Sequence, residues 1–225
     1  MSELYLVRHG QASLGSDNYD QLSPLGHQQA EWLGEYFLER GIEFDAIVTG
    51  DMVRHRETAE GICRGLKRDT PSFPVFPGLN EFDFHSLIAC YVEQYPEHAV
   101  PKGSSVPLYF KQLKKAMQVW STGQLNGDLP ESWENFEQRV QDAMTSIQQE
   151  LYGKKVLAVS SGGAISMALR QILNAPSETV IELNLQTKNT AIAHCFFNPK
   201  AVRMTSYNHV PHLDTRARED KITYS

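Results

Sequence analysis

The sequence predicts an α/β protein: a three-layer α/β/α sandwich on a mostly parallel central sheet, with a helical cap insertion. Three observations carry that prediction. Leu4 to Val7 is an apolar run that ends abruptly in Arg8, His9 and Gly10, as expected of a strand buried on both faces whose carboxyl end opens on a ligand crevice. Strand-like and helix-like stretches alternate along the chain, which in one domain implies crossover units. A second apolar run, Val156 to Val159, passes through Ser160-Ser161-Gly162-Gly163 into another helical stretch.

The elements follow in order. Ser23 before Pro24 is a helix N-cap with proline at the first helical position, and the helix continues through Leu33, Phe37 and Leu38. Phe44 to Gly50 reads as a second strand and Asp51 to Ala59 as the helix after it, which brings Arg54 to the same sheet end as His9. Between Leu79 and Pro130 the alternation gives way to Tyr95-Pro96, Pro101, Gly103, Pro107 and Asn126-Gly127-Asp128, with amphipathic helical character from Leu108 to Trp120. This stretch, approximately 82–130, reads as an insertion capping the active site. Its Lys102, Lys111, Lys114 and Lys115 suit either an anionic substrate tail or a solvated helix face. From 131 to 149 Trp133, Phe136, Val140, Ala143, Met144 and Ile147 recur at helical spacing until Gly153 stops the run. Lys155 to Val159 then reads as the central strand, and Thr190–Phe197 with Ala201–Tyr207 as a hairpin turning at Asn198-Pro199-Lys200. Residues 1–225 form a single domain on this reading.

Composition narrows the function classes. With 41% hydrophobic and 21% charged residues in 225, disordered and collagenous classes are excluded. A net charge of −6 argues against a nucleic-acid partner, so an anionic substrate must be drawn by local cations. Three cysteines, Cys63, Cys90 and Cys195, with no C-x-x-C pair, suggest reduced thiols and a cytoplasmic location. The first strand begins too near Met1 to leave room for a signal peptide, and no apolar run approaches a membrane span. The histidines are scattered, and His209-Val210-Pro211-His212 lies in a proline-broken tail rather than on one helix face, so neither a metal nor another cofactor is expected. Nothing in the sequence speaks to oligomeric state.

The chemistry lies at the end of the first strand. A guanidinium grips two phosphoryl oxygens in a fork, and a neutral imidazole beside it can attack phosphorus and carry the group covalently. Gly10 lets backbone approach without a Cβ in the way.

Leu6-Val7-Arg8-His9-Gly10-Gln11, then Leu22-Ser23-x-x-Gly26-x-x-Gln29-Ala30, then Thr49-Gly50-x-Met52-x-Arg54-x-x-x-Thr58-Ala59 together resemble the histidine phosphatase superfamily, also called phosphoglycerate mutase-like. Leu79-Asn80-Glu81, Val156 to Ile165, Asn189-Thr190-Ala191-Ile192 and Tyr207 to Leu213 extend the likeness over nearly the whole chain. The resemblance implies that His9 becomes phosphohistidine and that Arg8 and Arg54 hold the phosphoryl oxygens, with Gln11, Ser161 and Gly162 completing the phosphate site. It implies that Glu81 protonates the leaving oxygen and then takes a proton from water, a role that needs a raised pKa. Asp83, two residues on, is the competing acid.

One position departs from the family pattern. Where a second histidine usually ends the later strand, this chain has Ser161. Loss of one transition-state donor typically costs about a hundred- to a thousandfold in turnover. The Ser161 hydroxyl, the backbone N–H groups of the Gly162 turn, or another imidazole among His55, His85, His209 and His212 are the candidate replacements. Two classes of function follow. One is a metal-independent phosphomonoesterase acting on a small phosphorylated metabolite or a phosphoprotein. The other is a weak or inactive phosphate-binding regulatory member of the family. A mutase, which must retain the phosphoryl group in a fully furnished pocket, is the least favoured.

Overall fold

The computed structural model describes residues 2–13, 20–101 and 103–224. Its strands are β1 (Ser2–Arg8), β2 (Ala46–Thr49), β3 (Lys155–Ser160), β4 (Ile192–Asn198) and β5 (Ala201–His209), joined in one sheet of order β2-β3-β1-β4-β5. The helices are α1 (Pro24–Glu39), α2 (Val53–Gly65), α3 (Phe84–Gln94), α4 (Val106–Trp120), α5 (Trp133–Glu150), α6 (Gly162–Leu173) and α7 (Glu178–Gln186).

Period-two alternation on the strands divides the core. Val7, Ile47, Leu157 and Val159 face α1 and α2, where they meet Leu33, Phe37, Ile62 and Cys63. Leu4, Leu6, Val156 and Ala158 face the other way, into a larger cluster with α3 to α7. Both faces of β1 and β3 are therefore apolar, and the expected three layers result.

The expectation of a mostly parallel sheet needs refinement, because the sheet is mixed. β1 and β2 each pair parallel with β3, whereas β4 runs antiparallel to both β1 and β5. The β4–β5 connection is a tight turn, too short for the crossover that parallel pairing demands. β1 holds the middle position and β3 lies beside it, so the strand expected to be central is its neighbour.

Helix starts obey local chemistry. The Ser23 hydroxyl accepts the Gly26 amide at 3.0 Å with Pro24 next to it, and Ser132 accepts the Asn135 amide at 3.2 Å. The stretch expected as a cap contains α4, as the amphipathic pattern suggested, and also α3, which the sequence reading passed over. Buried Leu87, Tyr91, Leu113, Met117 and Trp120 from these two helices join the larger core. Among the cap lysines, Lys114 pairs with Glu182 of α7 at 2.6 Å and Lys111 is exposed, while Lys102 lies outside the described residues. All three cysteines are free and buried. Among the described residues no helix is long and apolar enough to cross a membrane.

Candidate active site

Register sets the site. Arg8 is opposite Ser160 in the parallel β1–β3 pair, and the His9 amide donates to the Ser160 carbonyl at 2.9 Å. His9 and Ser161 therefore leave the sheet side by side at the carboxyl ends of their strands. The turn after His9 crosses the start of α1 so closely that a Cβ on Gly10 would fall 2.4 Å from the Gly26 carbonyl oxygen. The Gly10 amide donates to Thr58 Oγ1 at 3.0 Å, which ties the turn to α2.

His9 is 3% exposed, and its Nδ1 lies 2.7 Å from the Gly10 carbonyl. A carbonyl only accepts, so Nδ1 carries the proton and Nε2 keeps its lone pair. Burial, then the guanidinium groups of Arg54 and Arg8, hold the His9 pKa well below 6.5. The ring is neutral at physiological pH.

Arg54, 3% exposed in the first turn of α2, donates to Asp20 Oδ1 at 2.9 Å, and Asp20 Oδ2 accepts the Val53 amide at 2.9 Å. Asp20 thus fixes both the side chain and the start of its helix. Arg8 Nη1 donates to the carbonyls of Thr187 and, at 2.8 Å, Tyr224. Gln11 accepts from the Ser23 hydroxyl at 2.8 Å, and its backbone amide donates to Gln29 Oε1 at 2.9 Å. Gln29 stands in the sequence pattern without an assigned role, and Asp20 lies two residues before that pattern begins.

Glu81 reaches the site from the segment before α3. Its Oε2 accepts the Gly163 amide at 3.0 Å, at the opening turn of α6. Although its side chain is only half-buried, desolvation raises the carboxyl pKa, opposed by the Gly163 amide and by Arg54 and Arg8. The segment is pinned from behind. Arg139 of α5 donates to the Gly78 and Asn80 carbonyls at 3.1 and 2.8 Å, and Ser160 Oγ donates to the Leu79 carbonyl at 2.6 Å. Phe82 packs against Trp120 and Phe136 at centroid distances of 5.2 and 5.5 Å.

Asp83, the competing acid, is exposed and caps α3, accepting the His85 and Ser86 amides at 3.0 and 3.1 Å and the Ser86 hydroxyl at 2.6 Å. Desolvation tends to raise its pKa, but these donors prevail and lower it. That is the environment of a helix cap.

The candidate imidazoles separate clearly. His85 and His209 are exposed. His212 is buried behind the His9–Gly10 turn, with Nε2 2.8 Å from Thr190 Oγ1, and burial, reinforced by Arg218, lowers its pKa to about 3. Thr190 has φ +54°, a strained conformation for a β-branched residue. Its amide donates to the His9 carbonyl at 3.3 Å, and Asn189 Nδ2 donates to the same oxygen at 3.2 Å. His55 is the one that reaches Ser161: its Nε2 lies 2.7 Å from Ser161 Oγ, and its ring centroid is 5.9 Å from that of His9. Gly162 lies against Arg8, with the guanidinium Nε 3.4 Å from where its Cβ would be. Among the described residues no group of three His, Cys, Asp or Glu side chains could hold a metal ion.

A mixed-sheet α/β sandwich with a buried neutral histidine, two arginines and a desolvated carboxyl at the strand ends defines the class. The chain belongs to the histidine phosphatase superfamily (branch 1), whose family description it matches over residues 4–210. It is 27% identical over 174 residues to a broad-specificity phosphatase of Saccharomyces cerevisiae, covering 74% of this chain and 68% of that one. It is also 27% identical to the "Probable phosphoglycerate mutase GpmB" of Salmonella typhi, covering 98% and 99% of the two chains. In fold it is similar to the phosphoserine phosphatase of Entamoeba histolytica in complex with phosphoserine (TM-score 0.67, 19% identity, 95% of this chain and 100% of that one). The α-ribazole phosphatase of Shigella flexneri is similar to the same degree (TM-score 0.67, 18% identity, 92% and 96%).

Proposed function

We propose that this protein is a metal-independent phosphatase that hydrolyses a phosphomonoester through a phosphohistidine on His9. The observation that carries the reading is the His9 Nδ1–H bond to the Gly10 carbonyl at 2.7 Å, which leaves Nε2 as the unprotonated nitrogen of a ring that burial keeps neutral. Nε2 attacks phosphorus and the P–O bond to the leaving group breaks. The departing oxygen takes the Glu81 proton. The Glu81 carboxylate then accepts a proton from water as the hydroxide attacks the phosphohistidine, releasing inorganic phosphate and restoring the Nε2 lone pair.

Arg8 and Arg54 hold the phosphoryl oxygens, with Gln11, Ser161 and Gly162 completing the site. The substrate is a small phosphorylated metabolite or a phosphoprotein. Three buried thiols suit a reducing, cytoplasmic setting.

The test is hydrolysis of a chromogenic phosphomonoester by wild type and His9→Ala with chelator present, together with acid quenching. Turnover and an acid-labile adduct, both lost in His9→Ala, are expected. An adduct that persists in the variant overturns the assignment. Phosphate binding without turnover in the wild type would favour the regulatory reading.

A further inference from the structure

We propose that Ser161 and His55 act as one unit that presents a hydrogen-bond donor to the phosphoryl group: the Ser161 hydroxyl makes the contact and His55 positions it. The inference rests on the phosphate-site reading above, and goes beyond it in naming a pair drawn from two different helix starts.

The Ser161 hydroxyl is in an unusual situation. Ser161 is the N-cap residue of α6, where a serine normally accepts an amide from the first turn, yet among the described residues its side chain makes no capping bond. Glu81 accepts the Gly163 amide instead. The hydroxyl is thereby released from the helix and turns to His55 Nε2, 2.7 Å away, at a fully buried position next to His9.

His55 is equally committed to this contact. Its side chain is 0% exposed, and Nδ1 has no partner among the described residues, so Ser161 is the hydrogen-bond partner found for the ring. The ring lies against Gly50, where a Cβ would fall 2.4 Å from Nδ1, so the strand-to-helix turn is shaped to admit it. Burying an imidazole with one nitrogen unsatisfied is costly, and packing alone would be served better by an apolar ring.

A buried Nδ1 with no partner among the described residues is better left as a lone pair than as an orphaned N–H, which puts the His55 proton on Nε2. With the His55 proton on Nε2, that nitrogen donates to Ser161 Oγ and leaves the hydroxyl proton free to point at a phosphoryl oxygen on His9. His55 remains neutral throughout and no proton changes hands. The donation strengthens the hydroxyl as a donor through hydrogen-bond cooperativity. Ser161 thus touches the reacting group, and His55 is a positioning residue.

The test is a double-mutant cycle of Ser161→Ala, His55→Phe and the double variant, with His55→Gln as the conservative rescue. Turnover of a chromogenic phosphomonoester and orthovanadate binding are both measured. Each single change is expected to lower kcat by about a hundredfold with little change in KM, the double variant to lose no more than the worse single, and His55→Gln to regain part of the loss. Vanadate affinity should fall in the same pattern. Additive losses, or kcat and vanadate affinity unchanged in folded His55→Phe and Ser161→Ala, overturn the pair. If His55→Phe does not fold, His55→Gln takes its place in the cycle: vanadate affinity unchanged in Ser161→Ala, or losses that add in the double variant, overturn the pair. Wild type without His9-dependent turnover, but with vanadate binding weakened in both singles, supports the pair while overturning the phosphatase reading. Wild type that does not bind vanadate overturns both.

Discussion

Glu81 and Gly163 are bound to each other at van der Waals limit: the carboxylate accepts the glycine amide at 3.0 Å, and a Cβ on that glycine would fall 2.1 Å from the other carboxylate oxygen. The absence of a side chain at 163 is what lets a carboxyl group rest over the start of α6, within the electrostatic reach of Arg54 and Arg8.

Gly163→Ala should therefore act as a Glu81 variant. Alanine is the better helix former, but its methyl displaces the carboxyl and also presses on Phe82, 2.6 Å from the Cβ position. We expect Glu81→Gln to reduce kcat by about a hundredfold or more, Gly163→Ala to reduce it comparably, and the two losses not to add. Steady-state kinetics of the three variants check this, and additive losses would contradict it.

The two neighbouring carboxylates should separate by phenotype. Asp83→Ala removes the α3 cap at a cost of about 1 kcal/mol in unfolding free energy, with kcat close to wild type. Urea denaturation alongside kinetics checks both halves, and a large kcat loss at 83 would transfer the acid role to Asp83.

Asp20 holds Arg54 through an ion pair at 2.9 Å. Asp20→Asn should lower kcat/KM by about ten- to a hundredfold through loss of guanidinium alignment, while changing the thermal midpoint little because the residue is partly exposed. A variant with wild-type kinetics would show that α2 alone aligns Arg54.

Acid should destabilise this protein through its buried imidazoles. Burial, with the nearby arginines, depresses the folded-state pKa of His9 and His55, and burial with Arg218 that of His212, the last to about 3. The unfolded chain then binds more protons below the ordinary value of 6.5, so their contribution is complete above that pH and is lost as pH falls from 6.5 towards each folded value. Each group contributes a slope of about 1.4 kcal/mol per pH unit within its window. Urea unfolding of His212→Gln at several pH values between about 7.5 and about 4.5 should give a shallower pH dependence than wild type. Identical slopes would place the acid sensitivity elsewhere.

Much of this architecture was legible in the residues themselves. Apolar runs marked β1 and β3, the Ser23-Pro24 pair marked α1, and helical spacing from Trp133 to Ile147 marked α5, because those signals are local and fall within a turn or two of chain. The Arg-His-Gly ending of β1 marked His9 as the candidate nucleophile for the same reason. α3 escaped notice because its defining signal, Asp83 as cap, looked equally like an acid in a loop. The mixed sheet was not legible as such, since strand direction is decided by which neighbour a hairpin finds.

The sequence by itself determined the family, the alternation of elements and the strand ends at which His9, Arg8 and Ser161 stand, because those depend on local pattern and spacing. Only the tertiary structure decided that Glu81 rests on Gly163, that Asp83 is a cap, that His212 supports the strained Thr190, and that His55 rather than His85 or His209 meets Ser161. Those outcomes depend on which side chains are brought together and stripped of water, and hydrogen bonds between residues as far apart as 55 and 161 leave no trace in the spacing of either.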